Sequence, residues 1–161
     1  MTSALRVLTV ATAVGAGAAG GVFFSFSAFV MDGLARLPAP AGIVAMQQVN
    51  VTAVRPALMT LLFGTAAGSV VLAVHGARAW DGLPSALLVA GSGLYLAGVV
   101  GLTAGYHVPR NDALAALDPT APASAAAWAV YLDAWTRGNH VRAASGLAAA
   151  ACYTVALLHR G

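Results

Sequence analysis

Lysine and glutamate are absent from this chain, and its eight arginines and five aspartates make up only 8% of 161 residues, against roughly 25% charged residues in a soluble domain. Charge this sparse excludes a monomer dissolved in water. The net charge of +3 is too small and too scattered for a nucleic-acid surface. Cysteine is nearly absent as well: Cys152 stands alone inside an apolar run, so no disulfide framework exists.

What fills the chain instead is apolar. Hydrophobic residues make up 60% of it, and stretches of roughly 20 uncharged residues are the mark of helices that cross a bilayer. Three such runs cover residues 7–31, about 56–75 and 83–106, and a fourth begins at Ala143 and borrows from the preceding segment to give a span of about 140–158. Lipid offers unpaired backbone groups no partner, so each run is expected to be a helix. The fold expected is all-α: one domain over residues 1–161, an antiparallel bundle of four transmembrane helices with short extra helices in the first and third loops. Arg6 ahead of an apolar stretch resembles a signal peptide, but the run continues through Phe23, Phe24, Phe26 and Phe29, past any small-residue cleavage site. All seven prolines are read as lying at helix ends or between runs. Gly17 with Gly21, Gly64 with Gly68 and Gly101 with Gly105 are spaced to share helix faces, which suits close packing within the bundle.

With four spans, Arg6, Arg78 and Arg160 fall on one side and Arg36, Arg55, Arg110, Arg137 and Arg142 on the other, which marks the second side as cytoplasmic. The location expected is a bacterial cytoplasmic membrane. The first and third loops share that side and hold nearly all the polar chemistry. In the first, Ile43, Met46, Gln47, Asn50 and Val54 form one face of a helix over 42–54. A carboxamide buried without a partner costs about 1–3 kcal/mol, so Gln47 and Asn50 should meet polar groups from the third loop. That loop starts at His107 and ends in a helix over 124–142, where Trp128, Tyr131, Trp135, Asn139 and Arg142 make one aromatic and polar stripe. Asp133, Arg137 and His140 fall on a roughly opposite face, with Asp133 and Arg137 spaced as an ion pair. Gly138 is a candidate break that would change the face His140 joins.

The segments Phe23-Phe24-Ser25-Phe26-Ser27-Ala28-Phe29-Val30-Met31, Met46-Gln47-Gln48-Val49-Asn50, Val108-Pro109-Arg110-Asn111 and Trp135-Thr136-Arg137-Gly138-Asn139-His140-Val141-Arg142 resemble, in order, the anthrone oxygenase-like membrane proteins. That resemblance implies oxidation of a polycyclic anthrone to the anthraquinone by O2 without a conventional organic cofactor. It makes His140 the leading catalytic residue, with Asn139, Arg142 and Trp135 beside it. Where the family commonly reads Asn-Val-Pro-x-Asn, this chain has His107 in the first position.

A cofactor-free oxygenase needs a substrate that itself gives an electron to oxygen, a base and an apolar pocket. His140 is the expected base, Arg142 or Asn139 the expected stabiliser of a phenolate or enolate. Phe23, Phe26, Phe29, Trp128 and Trp135 would stack on a planar ring, with Gln47, Asn50, Asn111 and Tyr131 completing the substrate site. The whole cavity is expected to be lined by Phe26, Phe29, Gln47, Asn50, His107, Trp135, Asn139, His140 and Arg142. A second reading has His107, His140 and Asp112 hold copper or iron. A third is a small transporter or lipid-binding subunit, against which counts the lack of an uncompensated charge in mid-helix. The partners expected are a hydrophobic aromatic molecule, O2 and membrane lipid; nucleic acid is excluded, and a homo-oligomer is compatible with the pattern.

Overall fold

Every apolar run becomes a helix in the computed structural model, which describes residues 2–159. Five helices follow one another: α1 (Ser3–Ala35), α2 (Ala39–Ala53), α3 (Pro56–Arg78), α4 (Leu83–Ala115) and α5 (Ser124–Leu158). Four of them, α1, α3, α4 and α5, are long and apolar enough to cross a membrane, and the protein is an integral membrane protein. Exposed apolar side chains such as Val7, Val14 and Phe63 cover their outer faces, where lipid imposes no hydration cost.

All four spans run further than the apolar runs that signal them. The third loop holds no separate helix over 124–142: that segment and the fourth span are one helix of 35 residues, unbroken at Gly138. Helix α4 likewise continues through Pro109, so that proline is not at a helix end. Proline removes a donor and crowds the carbonyl four residues back, here that of Gly105, and α4 absorbs this by widening into a π-helical turn over Thr103–His107; a further π-helical stretch, Leu94–Gly101, lies upstream. The Arg110 guanidinium donates to the Tyr106 carbonyl at 2.8 Å, capping a group in the widened turn. A third π turn, Phe26–Val30, lies inside α1.

The loop before α5 is short and self-bonded. Asp118 Oδ1 accepts from the Thr120 amide at 2.9 Å and from its hydroxyl at 2.7 Å, and these bonds hold the Asp118 carboxyl below the usual carboxylate range.

Close helix crossings occur at glycines other than those spaced in fours. A Cβ on Gly20 would sit 2.9 Å from the Leu147 amide nitrogen, and one on Gly146 would sit 2.9 Å from Gly20 Cα, so α1 and α5 touch backbone to backbone there. By contrast Gly21, Gly64 and Gly105 have nothing within 4 Å, and Gly17 meets only Ala150 at 3.7 Å. Four-residue spacing identifies a face but not which face is inward, and of the six glycines only Gly68 lies at a tight crossing, against Thr12.

Below the crossing, hydroxyls replace water as partners. Thr9, Thr12, Ser69 and Ser92 each donate to the carbonyl four residues earlier at 2.8 Å. Tyr153 of α5 donates to Ser69 of α3 at 2.9 Å and lies 3.1 Å from Ser92 of α4, tying three helices at one level. Tyr95, Leu72, Leu88 and Tyr153 are fully buried and close this half of the bundle.

Arg142 is buried, so it is no loop charge and drops out of the orientation count, and Arg160 lies outside the described residues.

Candidate functional site

At the other end the bundle opens. Helices α3 and α4 pack closely near their turn, where a Cβ on Gly76 would meet the Ser85 carbonyl at 3.1 Å. Towards Pro56 a cavity of about 270 Å³ separates them, walled by Leu58, Met59 and Leu62 of α3 and Val100, Thr103 and Ala104 of α4. Helix α2 covers it with Met46, Val49 and Asn50, while α1 and α5 contribute Phe23, Phe26, Trp135 and Arg142 to its inner wall. Val54, Phe63 and Val108 also line it and are largely exposed, so its rim faces outward between α3 and α4. The volume is just below the usual range for small-molecule sites, roughly 300–1,000 Å³.

Helix α2 is held in place by its fully buried Ile43 and Met46 and by one polar side chain. Gln47 Nε2 donates to the Leu114 carbonyl at 2.9 Å, which also accepts from the Leu117 amide, and to the Leu117 carbonyl at 3.2 Å just past the end of α4. The expected meeting of the first loop with the third is therefore real, though Gln47 is spent on it and does not line the cavity.

The aromatic and polar stripe of α5 turns inward as its spacing requires: Trp128, Tyr131, Trp135, Asn139 and Arg142 are all buried. Trp128 packs on Gly42, which leaves its ring no room for a Cβ, and stacks on Tyr131 at 5.6 Å. Asn139 Nδ2 donates to the Phe23 carbonyl at 2.7 Å, just before the π turn of α1, and to Ser27 Oγ at 2.8 Å. Its Oδ1 accepts from Arg142 Nη2 at 2.8 Å, so Asn139 is the bracket that aims Arg142 and stands behind the wall.

Arg142 is the chemical centre of the site. It is 5% exposed. Nη1 reaches Thr103 Oγ1 at 3.3 Å, and Nε has no hydrogen-bond partner. The guanidinium lies 4.3 Å from the Phe23 ring centre and 5.1 Å from that of Trp135, contacts worth about 1–2 kcal/mol each at a desolvated site. No carboxylate among the described residues pairs with it, and the ion pair of Arg137 with Asp133 lies on the exposed face of the same helix. An uncompensated charge thus does sit in mid-helix, contrary to the sequence reading, which placed Arg142 at a helix start.

The other expected residues divide by location. Phe26, half-buried and 5.6 Å from Trp135, lines the cavity with Asn50 and Asn111. Asn50 Nδ2 is buried and makes no hydrogen bond. Asn111 Oδ1 accepts from Tyr131 at 2.9 Å and from Trp135 Nε1 at 3.1 Å. Phe29 is 64% exposed and points away from the cavity: residues three apart share a face of an α-helix, but Phe26–Val30 is a π turn, whose wider winding takes Phe29 off the face of Phe26.

Neither histidine reaches the cavity wall. His140 is exposed and borders a separate shallow groove between α1 and α5 with Phe24, Ser27 and Ala28. His107 is buried 5.1 Å from the Trp135 ring, edge on, with both ring nitrogens unpaired. Gly138 makes room for it: a Cβ there would be 3.0 Å from His107 Nε2. Asp112 is exposed, and no three His, Cys, Asp or Glu side chains come together among the described residues. The expected set of His107, His140 and Asp112 is therefore split over three places. Phase explains it, since His140 follows Asn139 by about 100° of helix rotation and lies off the inward stripe.

Thr103 and the α3 residues escaped sequence reading. A lone threonine in an apolar run reads as bonded to its own backbone, which Thr103 also is, through the Val99 carbonyl at 2.7 Å. Leu58, Met59 and Leu62 belong to a run apolar on all sides, which marks no face.

No curated protein and no solved structure matches this chain. A family profile described as Anthrone oxygenase matches residues 51–152, from the last turn of α2 to Cys152 in α5. Asn111, Trp135 and Arg142 fall inside the matched stretch. It takes in more than half of the chain, which therefore belongs to the anthrone oxygenase family.

Proposed function

We propose that this protein is a membrane oxygenase that oxidises a hydrophobic, planar ketone of the anthrone type with O2, and that Arg142 drives the reaction by stabilising the substrate's enolate. The observation behind this is the guanidinium itself, buried beside an apolar cavity with one nitrogen unpaired and no carboxylate to balance it. Burying a charge uncompensated costs about several kcal/mol, and an anionic ligand removes that cost. The family supports the reaction type, and the rings of Phe26 and Trp135 suit a flat aromatic.

The chemistry balances with the substrate as reductant. The ring methylene gives up a proton to leave the enolate, the enolate passes electrons to O2 and captures it, the peroxide anion so formed takes the proton back to become the hydroperoxide, and loss of water leaves the second carbonyl. Anthrone plus O2 becomes anthraquinone plus water, with no organic cofactor. The cavity wall holds neither imidazole nor carboxylate, so this reading gives the work to electrostatic stabilisation, and His140 is not its base. The closed half of the bundle below, filled by Tyr95, Leu72, Leu88 and Tyr153, favours a bound substrate over a solute that passes through. We place the protein in a bacterial cytoplasmic membrane, where such a substrate dissolves in the lipid.

Oxygen uptake and quinone absorbance, followed with purified protein and an anthrone, test the proposal. Arg142→Gln should lower kcat/KM by roughly 10²- to 10³-fold, as removal of an oxyanion donor does, and His140→Ala should leave it unchanged. Wild-type turnover in Arg142→Gln would overturn the reading, and loss in His140→Ala would move the chemistry to the outer groove.

A further inference from the structure

We infer that Asn111 is a fixed hydrogen-bond donor to the ligand, and that Tyr131 and Trp135 are positioning residues that hold its amide in that sense. The inference rests on the reading of the cavity as an aromatic ketone site. It adds a second donor, on a different helix from Arg142, for the ligand's oxygen.

The orientation follows from the chemistry of the indole. An indole N–H only donates, so the Asn111 atom 3.1 Å from Trp135 Nε1 is the carbonyl oxygen. Tyr131 places its hydroxyl 2.9 Å from the same oxygen. With both lone pairs engaged, the amide has no reason to flip, and its NH2 is the part of a cavity-lining residue left without a protein partner. Tyr131 and Trp135 lie one turn apart on α5 and are themselves buried. Trp128 stacks on Tyr131, and the Phe26 ring packs against Trp135 at a 50° tilt, so the two donors that set the amide cannot turn aside. Across the cavity wall, Arg142 Nε is unpaired, as is Asn50 Nδ2 on α2, while the Thr103 hydroxyl is spent between the Val99 carbonyl and Arg142. Donors on α4 and α5, with that of Asn50 on α2, thus await an acceptor, and a ligand of the right shape without an oxygen leaves them unanswered.

The test compares two probes of one shape: anthrone, a tricyclic ketone, and anthracene, the same three rings without oxygen. Binding is read by quenching of tryptophan fluorescence in purified protein at fixed detergent. Wild type should prefer anthrone, by roughly three- to tenfold for each hydrogen bond gained. Tyr131→Phe, which keeps the ring and removes one clamp, should shrink that preference while leaving anthracene affinity in place. Asn111→Asp, which still accepts from Tyr131 and Trp135 but has no N–H, should erase the part of the preference that Asn111 supplies. A purely structural role would move both probes together. Preference undiminished in both variants overturns the inference, as does a wild type that binds the two probes equally; that second result leaves the aromatic cavity standing. A wild type that binds neither probe removes the proposed function and the inference with it.

Discussion

Replacing Arg142 by methionine separates a functional charge from a structural one. The side chain is 5% exposed and has no acidic partner, so the folded protein bears a desolvation cost of about several kcal/mol. Against this stand its hydrogen bond to Asn139 Oδ1 at 2.8 Å and a longer one to Thr103 at 3.3 Å. Hydrogen bonds to a charged group contribute about 1.5–3 kcal/mol, with the 3.3 Å contact at the low end. The Phe23 and Trp135 rings add about 2 kcal/mol between them. Methionine fills much of the same space, gives up these attractions, removes the desolvation cost, and leaves Asn139 Oδ1 without a donor at about 1–3 kcal/mol. The attractions lost outweigh the cost removed by a small margin, so Arg142→Met should melt about 1–3 kcal/mol below wild type. Its oxygen uptake with an anthrone should nonetheless fall as far as that of Arg142→Gln. Thermal unfolding in detergent, read by tryptophan fluorescence, gives the first quantity and an oxygen electrode the second. A loss of more than about 5 kcal/mol, the upper end for breaking a buried ion pair, would mean that Arg142 holds the bundle together, and the site would lose its centre.

Tyr153→Phe removes the bond to Ser69 and the contact with Ser92; interhelical bonds in membranes average about 0.6 kcal/mol, so thermal unfolding should move by about 1 kcal/mol and turnover stay unchanged. A larger drop would show that this layer dominates helix association. Gly138→Ala drives a methyl within 2.8 Å of Tyr106 Cδ1 and 3.0 Å of His107 Nε2, at about 1–3 kcal/mol for overpacking. Gly21→Ala meets nothing within 4 Å and should stabilise by about 0.5–1 kcal/mol. Equal melting of these two alanine variants would refute the packing described for α4 against α5.

The spans were legible because a membrane forces a simple rule on composition, and the inward stripe of α5 was legible because five residues at spacings of three and four leave a helix no alternative. Their limits were not. Helix α5 runs back to Ser124 through polar sequence because a helix outlasts the lipid it crosses, and α4 runs through Pro109 by widening its turn. Those extensions bring Asn111 into a helix, next to Tyr131 and Trp135. The stripe already set His140 on the far face of α5, and the resemblance to a family drew it towards the site; helical phase proved the better guide to where that side chain points. The α3 wall stayed hidden because leucine and methionine in a uniformly apolar run look the same whether they face lipid, a neighbour or a cavity.

The outward rim of the cavity, with Phe63 and Val54 exposed between α3 and α4, changes what a Michaelis constant means for this protein. A ligand that arrives through the bilayer is counted by the cavity per lipid molecule, not per litre of buffer. Added detergent or lipid dilutes it even when its bulk concentration is fixed, and affinities compared between preparations carry meaning only at matched ratios of ligand to amphiphile.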